Sequence, residues 1–158
     1  MNFAPAPLIL KTEAETAAFA RRIAPVLRAG DVLLLSGPIG AGKSFFARAL
    51  IRVLLGNPVE EVPSPSFTLV QTYQAEGVEI WHCDLYRLTS AQDLFELGLD
   101  EAFDRAICLI EWPGKLGDMA PAGALHLTFA AMDDHHRLVV QGHRPWAKRL
   151  ERVFDGPD

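Results

Sequence analysis

The sequence predicts an α/β fold, a three-layer sandwich in which helices cover both faces of a mixed, mainly parallel sheet. Two almost wholly apolar segments, residues 31–36 and 106–111, have the length of strands that are buried on both faces. Segments with helical spacing of apolar residues adjoin the first of them. Two further segments, joined by a short glycine-containing loop, predict that an antiparallel strand enters the same sheet.

Two helices flank the first predicted strand. Residues 12–28 begin with a capping-box pattern, in which Thr12 is followed by Glu15, and Pro25 should bend this helix near its end. The second helix begins directly after a glycine-rich turn and stops at Gly56. This order of strand, glycine-rich turn and helix sets the frame for the motifs below.

The remaining elements follow along the chain. Residues 67–73 and 78–84, separated by "QAEG", are predicted to pair as antiparallel strands. A serine and aspartate capping pattern introduces a short helix over residues 91–99. The tail is predicted to form a final hairpin over residues 124–142 and a basic helix over residues 144–154.

Composition and charge limit the class of protein. The 158 residues show no linker or repeat, so residues 1–158 are predicted to form a single domain. The net charge of −5 disfavours autonomous binding of nucleic acid. No apolar run approaches the ~20 residues of a membrane span, and no secretory signal is recognisable, so a cytoplasmic protein is expected. Cys83 and Cys108 lack metal-site spacing and are predicted to be reduced core thiols.

The strongest motif is "GPIGAGKS", which matches the P-loop pattern GxxxxGK[ST] between a predicted strand and a predicted helix. Its glycines allow successive backbone N–H groups to face a phosphate, and the start of the helix adds to this field. The alternative is a glycine-rich turn that only caps a helix. Lys43 would reach the β- and γ-phosphates, and the Ser44 hydroxyl would be a Mg²⁺ ligand. The predicted nucleotide-binding residues are Gly37, Pro38, Ile39, Gly40, Ala41, Gly42, Lys43, Ser44 and Phe45.

Two acids end apolar strands, at the sheet edge where α/β proteins present functional groups. Asp84 and Glu111 are therefore the candidate carboxylates for a Mg²⁺ ion, which prefers oxygen ligands. Asp84 is predicted to share the ion with Ser44, and Glu111 to share it through water or to orient the attacking water. The alternatives are a salt bridge from Asp84 to Arg87 or a helix cap, and for Glu111 an acid that simply ends a strand.

Three other features admit a structural interpretation. His82 lies within the strand that ends at Asp84 and is predicted to be a packed histidine rather than a ligand. The histidine pair at 135–136 adjoins two aspartates in a turn and is expected to lie in a solvated loop. Trp112 could be a core aromatic or a surface anchor.

Several classes of P-loop protein are disfavoured. The sequence has no NKxD or DxxG motif of a GTPase and no LSGGQ-like motif of a transporter ATPase. A small-molecule kinase fits the size, but the middle of the chain has few basic residues for a lid. A binding module that is gated by nucleotide, with negligible turnover, stays open as an alternative.

Four motifs in their order, "GPIGAGKS", "VPSPSFTLVQTY", "HCDLYRL" and "ICLIEWPGK", strongly resemble the TsaE family of bacterial ATPases in tRNA threonylcarbamoyladenosine biosynthesis. The resemblance covers roughly residues 12–130. It implies a single P-loop ATPase domain that binds ATP or ADP with Mg²⁺ and hydrolyses ATP slowly alone. It also implies the partner proteins TsaB and TsaD, with tRNA reached indirectly through their complex. ATP turnover would reset that complex between catalytic cycles.

The resemblance also implies roles for individual residues. Lys43 and Ser44 match the phosphate lysine and the magnesium hydroxyl of the family, and Asp84 and Glu111 match its two acids. Lys43, Asp84 and Glu111 are thus predicted to be catalytic, and Ser44, Asp84 and Glu111 to hold the metal. Trp112 matches a tryptophan beside the second acid.

Residues 64–68 match a switch-like segment near the γ-phosphate. Ser66 and Thr68 within it are predicted to contact the nucleotide, although the family commonly has Thr at the position of Ser66. Beyond the matching region, the basic tail predicts a solvated helix face or, alternatively, a contact with tRNA or a partner. Its basic residues are Arg144, Lys148, Arg149 and Arg152.

Overall fold

The structure is a computed structural model that describes residues 2–66, 68–90 and 92–155. The strands in those residues are β1 (Asn2–Phe3), β2 (Leu8–Leu10), β3 (Val32–Ser36), β4 (Val70–Ala75), β5 (Val78–Asp84), β6 (Ala106–Glu111), β7 (Leu125–Ala131) and β8 (His136–His143). The helices are α1 (Glu13–Ile23), α2 (Lys43–Leu55), α3 (Gln92–Leu97), α4 (Leu99–Arg105), α5 (Arg144–Arg149) and α6 (Glu151–Asp155). Short 3-10 segments lie at Ala24–Val26 and Pro113–Met119.

The strands form one mixed sheet. Its order is β1-β8-β7-β3-β6-β5-β4, and β2 also pairs with β8. The four central strands β7, β3, β6 and β5 run parallel, whereas β4 and β8 pair antiparallel with their neighbours. The carboxyl ends of β3, β5 and β6 therefore meet at one edge of the sheet, and the predicted hairpins flank this parallel centre.

Helices cover both faces, which confirms the predicted α/β sandwich. Along β3, Leu33 and Leu35 belong to one hydrophobic cluster, and Val32 and Leu34 belong to the other. This separation follows from the alternation of side chains along a strand. The first cluster includes residues of α1, α2, α5 and α6, and the second includes residues of α3 and α4. Because both faces are covered, the central strands are apolar at almost every position.

The first predicted helix is shorter than residues 12–28. Thr12 caps α1 as predicted, since its side chain accepts a hydrogen bond from the Glu15 N–H. The α-helix ends at Ile23, and Pro25 lies in the 3-10 segment that follows. Proline has no N–H to continue the helix and crowds the preceding turn, so the helix ends rather than bends here.

Two other predicted elements begin or end elsewhere. Residues 67–73 were expected to form a strand, but β4 begins at Val70, and the predicted start, Phe67, lies outside the described residues. The helix predicted over residues 91–99 is described from Gln92 and ends at Leu97. Gly98 then adopts a left-handed conformation, with φ of 84°, and introduces α4, which the sequence did not predict.

The predicted basic helix over residues 144–154 is two short helices that meet at Leu150. Leu150 leaves helical geometry and is fully buried. The solvated face predicted for the four basic residues holds for Arg144, Lys148 and Arg152, which are exposed. It is wrong for Arg149, whose guanidinium donates to both Asp31 carboxylate oxygens, at 2.9 and 2.5 Å. In the described ranges, no helix is long and apolar enough to cross a membrane.

Candidate nucleotide-binding site

The P-loop connects the carboxyl end of β3 to α2, as predicted, and two of its glycines are required by close contacts. A Cβ on Gly37 would lie 2.3 Å from the backbone oxygen of Phe129, and one on Gly42 would lie 3.0 Å from the His136 Nδ1. Both glycines also have positive φ, 131° and 103°. Only glycine fits such positions without strain, so the loop lies directly against the hairpin of β7 and β8.

A cleft of about 880 Å³ opens around this loop at the carboxyl edge of the sheet. Its lining includes the two predicted acids, Ser66 and Trp112. The start of α1 and the turn at residues 132–136 also line it. Its volume is in the range of small-molecule and cofactor sites.

Lys43 lines this cleft and is buried, with 4% of its surface exposed. Its Nζ has no hydrogen-bond partner among the described residues and lies 3.6 Å from the centroid of the Trp112 ring. Burial lowers the pKa of Lys43, although the charges of Glu111 and Asp84 oppose that shift. A buried ammonium that lacks an oxygen acceptor is costly in the free protein, and an anion in the cleft would provide one.

Glu111 is held at both carboxylate oxygens. The Ser44 hydroxyl donates to Oε1 at 3.0 Å, and the His82 Nε2 lies 2.8 Å from Oε2. Burial alone would raise the pKa of Glu111, but the hydrogen bonds from His82 and Ser44 and the charge of Lys43 hold it below its usual value. Glu111 is therefore an ionised carboxylate at neutral pH, and it lies next to the Ser44 hydroxyl, the predicted Mg²⁺ ligand.

Asp84 lies beside Glu111, because the parallel register of β5 and β6 pairs these two residues. Its Oδ1 accepts the Tyr86 N–H at 3.0 Å, and its Oδ2 accepts the Ser66 hydroxyl at 3.2 Å. The Ser66 hydroxyl also contacts the Ser64 hydroxyl at 2.7 Å. The predicted switch-like segment is thus tied to Asp84 through Ser66.

The remaining predicted nucleotide-binding residues differ in their placement. Pro38, Ile39, Gly40 and Phe45 line the cleft with the residues above. Ala41, within the loop, is fully buried. Thr68 is exposed, and its hydroxyl accepts a hydrogen bond from Gln71 instead of joining the Asp84 network. Its nucleotide contact stays a prediction.

The residues present fit a magnesium site. The donor set consists of the Ser44 hydroxyl and the Glu111 and Asp84 carboxylates, which are oxygen ligands at the mouth of a phosphate loop. No group of three or more His, Cys, Asp or Glu side chains suited to a metal was found in the part of the chain that the structure describes. Mg²⁺ in nucleotide sites uses one or two carboxylates and completes its sphere with phosphates and water.

The comparisons with known proteins decide the family. The model of the family described as "Threonylcarbamoyl adenosine biosynthesis protein TsaE" matches residues 10–139. The chain is 39% identical over 130 residues to the tRNA threonylcarbamoyladenosine biosynthesis protein TsaE of Rickettsia bellii, covering 82% of this chain and 90% of that protein. The chain belongs to the TsaE family.

Other TsaE-family matches agree. The Bacillus subtilis protein of the same name is 33% identical over 127 residues, with 80% of this chain and 78% of that protein covered. Among solved structures, the Bacillus subtilis YdiB crystal structure matches with a TM-score of 0.79 and 26% identity, over 97% of this chain and 95% of that one. This chain is therefore a P-loop NTPase-like member of the TsaE family, involved in tRNA threonylcarbamoyladenosine biosynthesis.

Two contacts of this TsaE-family site were not found from the sequence. His82 was predicted to be a packed histidine, and it is buried, but it also contacts Glu111. The sequence does indicate that His82 lies near the acids, because it is two residues from Asp84 on one strand and both side chains are therefore on the same face of the sheet. The position of Trp112 over Lys43 had no such signal, because the left-handed backbone of Trp112 (φ 59°) directs it there.

Proposed function

We propose that the protein is a Mg²⁺-dependent ATPase that acts with the proteins TsaB and TsaD in threonylcarbamoyladenosine modification of tRNA. The observation that carries the proposal is the Lys43 ammonium, which is buried in the cleft next to the P-loop and has no hydrogen-bond partner among the described residues. An isolated buried cation at this position suits the β- and γ-phosphates of a nucleotide.

The residues around Lys43 have complementary tasks in this proposal. The backbone N–H groups of the loop and the start of α2 bind the phosphates. Lys43 leaves the Trp112 ring and neutralises negative charge on the β- and γ-phosphates. Ser44, Asp84 and Glu111 would hold Mg²⁺, which when bound would neutralise negative charge on the phosphate oxygens.

Ser66 connects the state of the nucleotide to the chain. Its hydroxyl donates to Asp84 in this structure. A Mg²⁺ ion would compete with Ser66 for this carboxylate, and a γ-phosphate would compete with Asp84 for the Ser66 hydroxyl. Occupied and vacated γ-phosphate positions would then hold residues 64–66 differently, as in other switch segments. Such a change supports a role in which ATP hydrolysis resets a complex, while the transfer chemistry belongs to a partner. Since the pathway modifies tRNA, we place this activity in the cytoplasm.

The proposal is tested by ATP hydrolysis with Mg²⁺, first with the purified protein alone and then with purified TsaB and TsaD. We expect slow turnover that rises when both partners are present. Asp84→Ala should abolish it, whereas Asp100→Ala, which alters an exposed acid of α4, should not change it. ATP binding without turnover under any condition would instead favour a nucleotide-gated binding module. No binding of ATP would reject the proposal.

A further inference from the structure

We propose that His82 is a positioning residue of the nucleotide site, which holds the Glu111 carboxylate so that its other oxygen meets the Ser44 hydroxyl. This inference rests on the proposed function of the site. The juxtaposition that carries it is a chain of two hydrogen bonds, from the His82 Nε2 to Glu111 Oε2 at 2.8 Å and from the Ser44 hydroxyl to Glu111 Oε1 at 3.0 Å. His82 would act through Glu111 and would not touch the nucleotide itself.

The burial of the pair makes this contact consequential. The side chains of His82 and Glu111 are 1% and 3% exposed, so water does not compete for their hydrogen bond. The two residues are brought together by the parallel register of β5 and β6, which pairs His82 with Leu109. A hydrogen bond to a charged group that is out of water and held by two strands fixes the orientation of the carboxylate.

The ring of His82 has one polar contact in the described ranges. A carboxylate accepts hydrogen bonds, so Nε2 is the nitrogen that carries the hydrogen toward Glu111. The Nδ1 of the same ring is buried without a partner among these residues. An orphaned buried nitrogen is unfavourable, and an apolar side chain would fill the same space without it. The polar role of His82 therefore lies in its bond to Glu111.

Glu111 needs such a restraint because the Lys43 ammonium lines the same cleft. The Nζ of Lys43 has no hydrogen-bond partner among the described residues and would attract a carboxylate that is free to rotate. Without the bond from His82, rotation of the carboxylate toward Lys43 would take Oε1 away from the Ser44 hydroxyl. Glu111 would then lose its position beside Ser44, and Lys43 would be held by Glu111 instead of being available to a phosphate.

The test compares three variants of residues in β5. His82→Leu removes the donor, and His82→Gln retains an amide donor near the position of Nε2. Ile80→Val is the matched control, because Ile80 is fully buried two residues earlier in the same strand. Binding of Mn²⁺ in the presence of a non-hydrolysable ATP analogue is measured by electron paramagnetic resonance. Steady-state ATP hydrolysis is then measured over a range of Mg²⁺ and ATP concentrations.

We expect His82→Leu to weaken Mn²⁺ binding about 10- to 100-fold, the usual effect of losing a partner of a metal-binding carboxylate. Its kcat should fall while the KM for ATP changes little, because the phosphate loop is intact. His82→Gln should recover most of the Mn²⁺ affinity, and Ile80→Val should match the wild type.

If the wild-type protein hydrolyses ATP and His82→Leu binds Mn²⁺ as tightly as the wild type does, the inference is overturned and the proposed function stands. Failure of His82→Gln to exceed His82→Leu in Mn²⁺ affinity, when both are folded, would also overturn it, since the donor would then not matter. If His82→Leu does not fold, His82→Phe, which keeps a ring and removes the donor, takes its place in both comparisons. Absence of nucleotide binding and turnover in the wild type would reject the proposed function and this inference together.

Discussion

A buried or half-buried cation lies near each end of β3, and the two cations differ in their hydrogen-bond partners. At the amino end, Arg149 donates to both oxygens of Asp31 and to the backbone oxygen of Val26, at 2.7 Å. At the carboxyl end, Lys43 lies in the cleft without a hydrogen-bond partner in the described residues. Arg149 thus has a carboxylate partner at one end of β3, whereas Lys43 lacks a hydrogen-bond partner among the described residues at the other.

The difference suits two tasks: the Arg149–Asp31 pair stabilises the fold, and Lys43 is available to bind an anion. The fork of an arginine matches a carboxylate in geometry, so the pair at the amino end fixes the C-terminal helices to the sheet. The lysine at the other end is a compact charge whose burial lowers its pKa. An anion that entered the cleft would relieve this unfavourable environment.

The largest expected effect breaks the satisfied pair. Asp31→Ala leaves the Arg149 guanidinium without its carboxylate and also removes an acceptor for the Arg28 N–H. We expect the free energy of unfolding to fall by about 3 kcal/mol, as measured by chemical denaturation. Asp100→Ala, at an exposed acid, should stay within about 0.5 kcal/mol of the wild type. Equal losses for the two variants would show that the ion pair contributes nothing specific.

A second effect concerns the unsatisfied charge. Lys43→Met removes a buried cation, so the free energy of unfolding without nucleotide should stay the same or rise by up to about 1 kcal/mol. Mg²⁺-ATP at about 100 times its Kd should stabilise the wild type by about 2.7 kcal/mol and the variant far less. Thermal melts with and without nucleotide measure both quantities. A loss of the cooperative melt in Lys43→Met would mean that the lysine is structural, and Lys148→Met is the exposed control.

The smallest effect is a pH dependence at Glu111. Its pKa is held below the usual value in the folded protein, so the folded state binds this proton less readily than the unfolded state. The stabilisation is present above about pH 4.3, the ordinary pKa of glutamate, and is lost as the pH falls through the folded value. The gap in unfolding free energy between the wild type and Glu111→Gln should therefore narrow on acidification. A constant gap would contradict the lowered pKa of Glu111.

The parts of the site that the sequence predicted share a local signal. The P-loop is contiguous, and its glycine spacing, flanking strand and helix are all visible within 25 residues. Asp84 and Glu111 were found because each ends an apolar strand, and parallel strands meet at one edge of a sheet. The structure places them in register with each other. Their catalytic and metal-binding roles stay predictions.

The parts that the sequence missed depend on distant residues. Arg149 was assigned to a solvated face because its helix is basic, but its partner Asp31 is 118 residues away. The bond from His82 to Glu111 spans 29 residues and depends on the register of two strands. Helix α4 was missed because Gly98, in left-handed geometry, separates it from α3, and a single glycine in a helical pattern does not reveal its backbone angles.

The sequence by itself determined the central strands, the helices on either side of β3, the phosphate loop and the two strand-end acids, because hydrophobic period and glycine spacing act over short segments. The tertiary structure decided which polar groups are paired and which are left without a partner. Lys43 faces Trp112, Glu111 lies between His82 and Ser44, and Arg149 binds Asp31. The physical reason is that burial and hydrogen-bond partners are set by strand register and by the packing of distant segments, which a linear pattern of residue types does not encode.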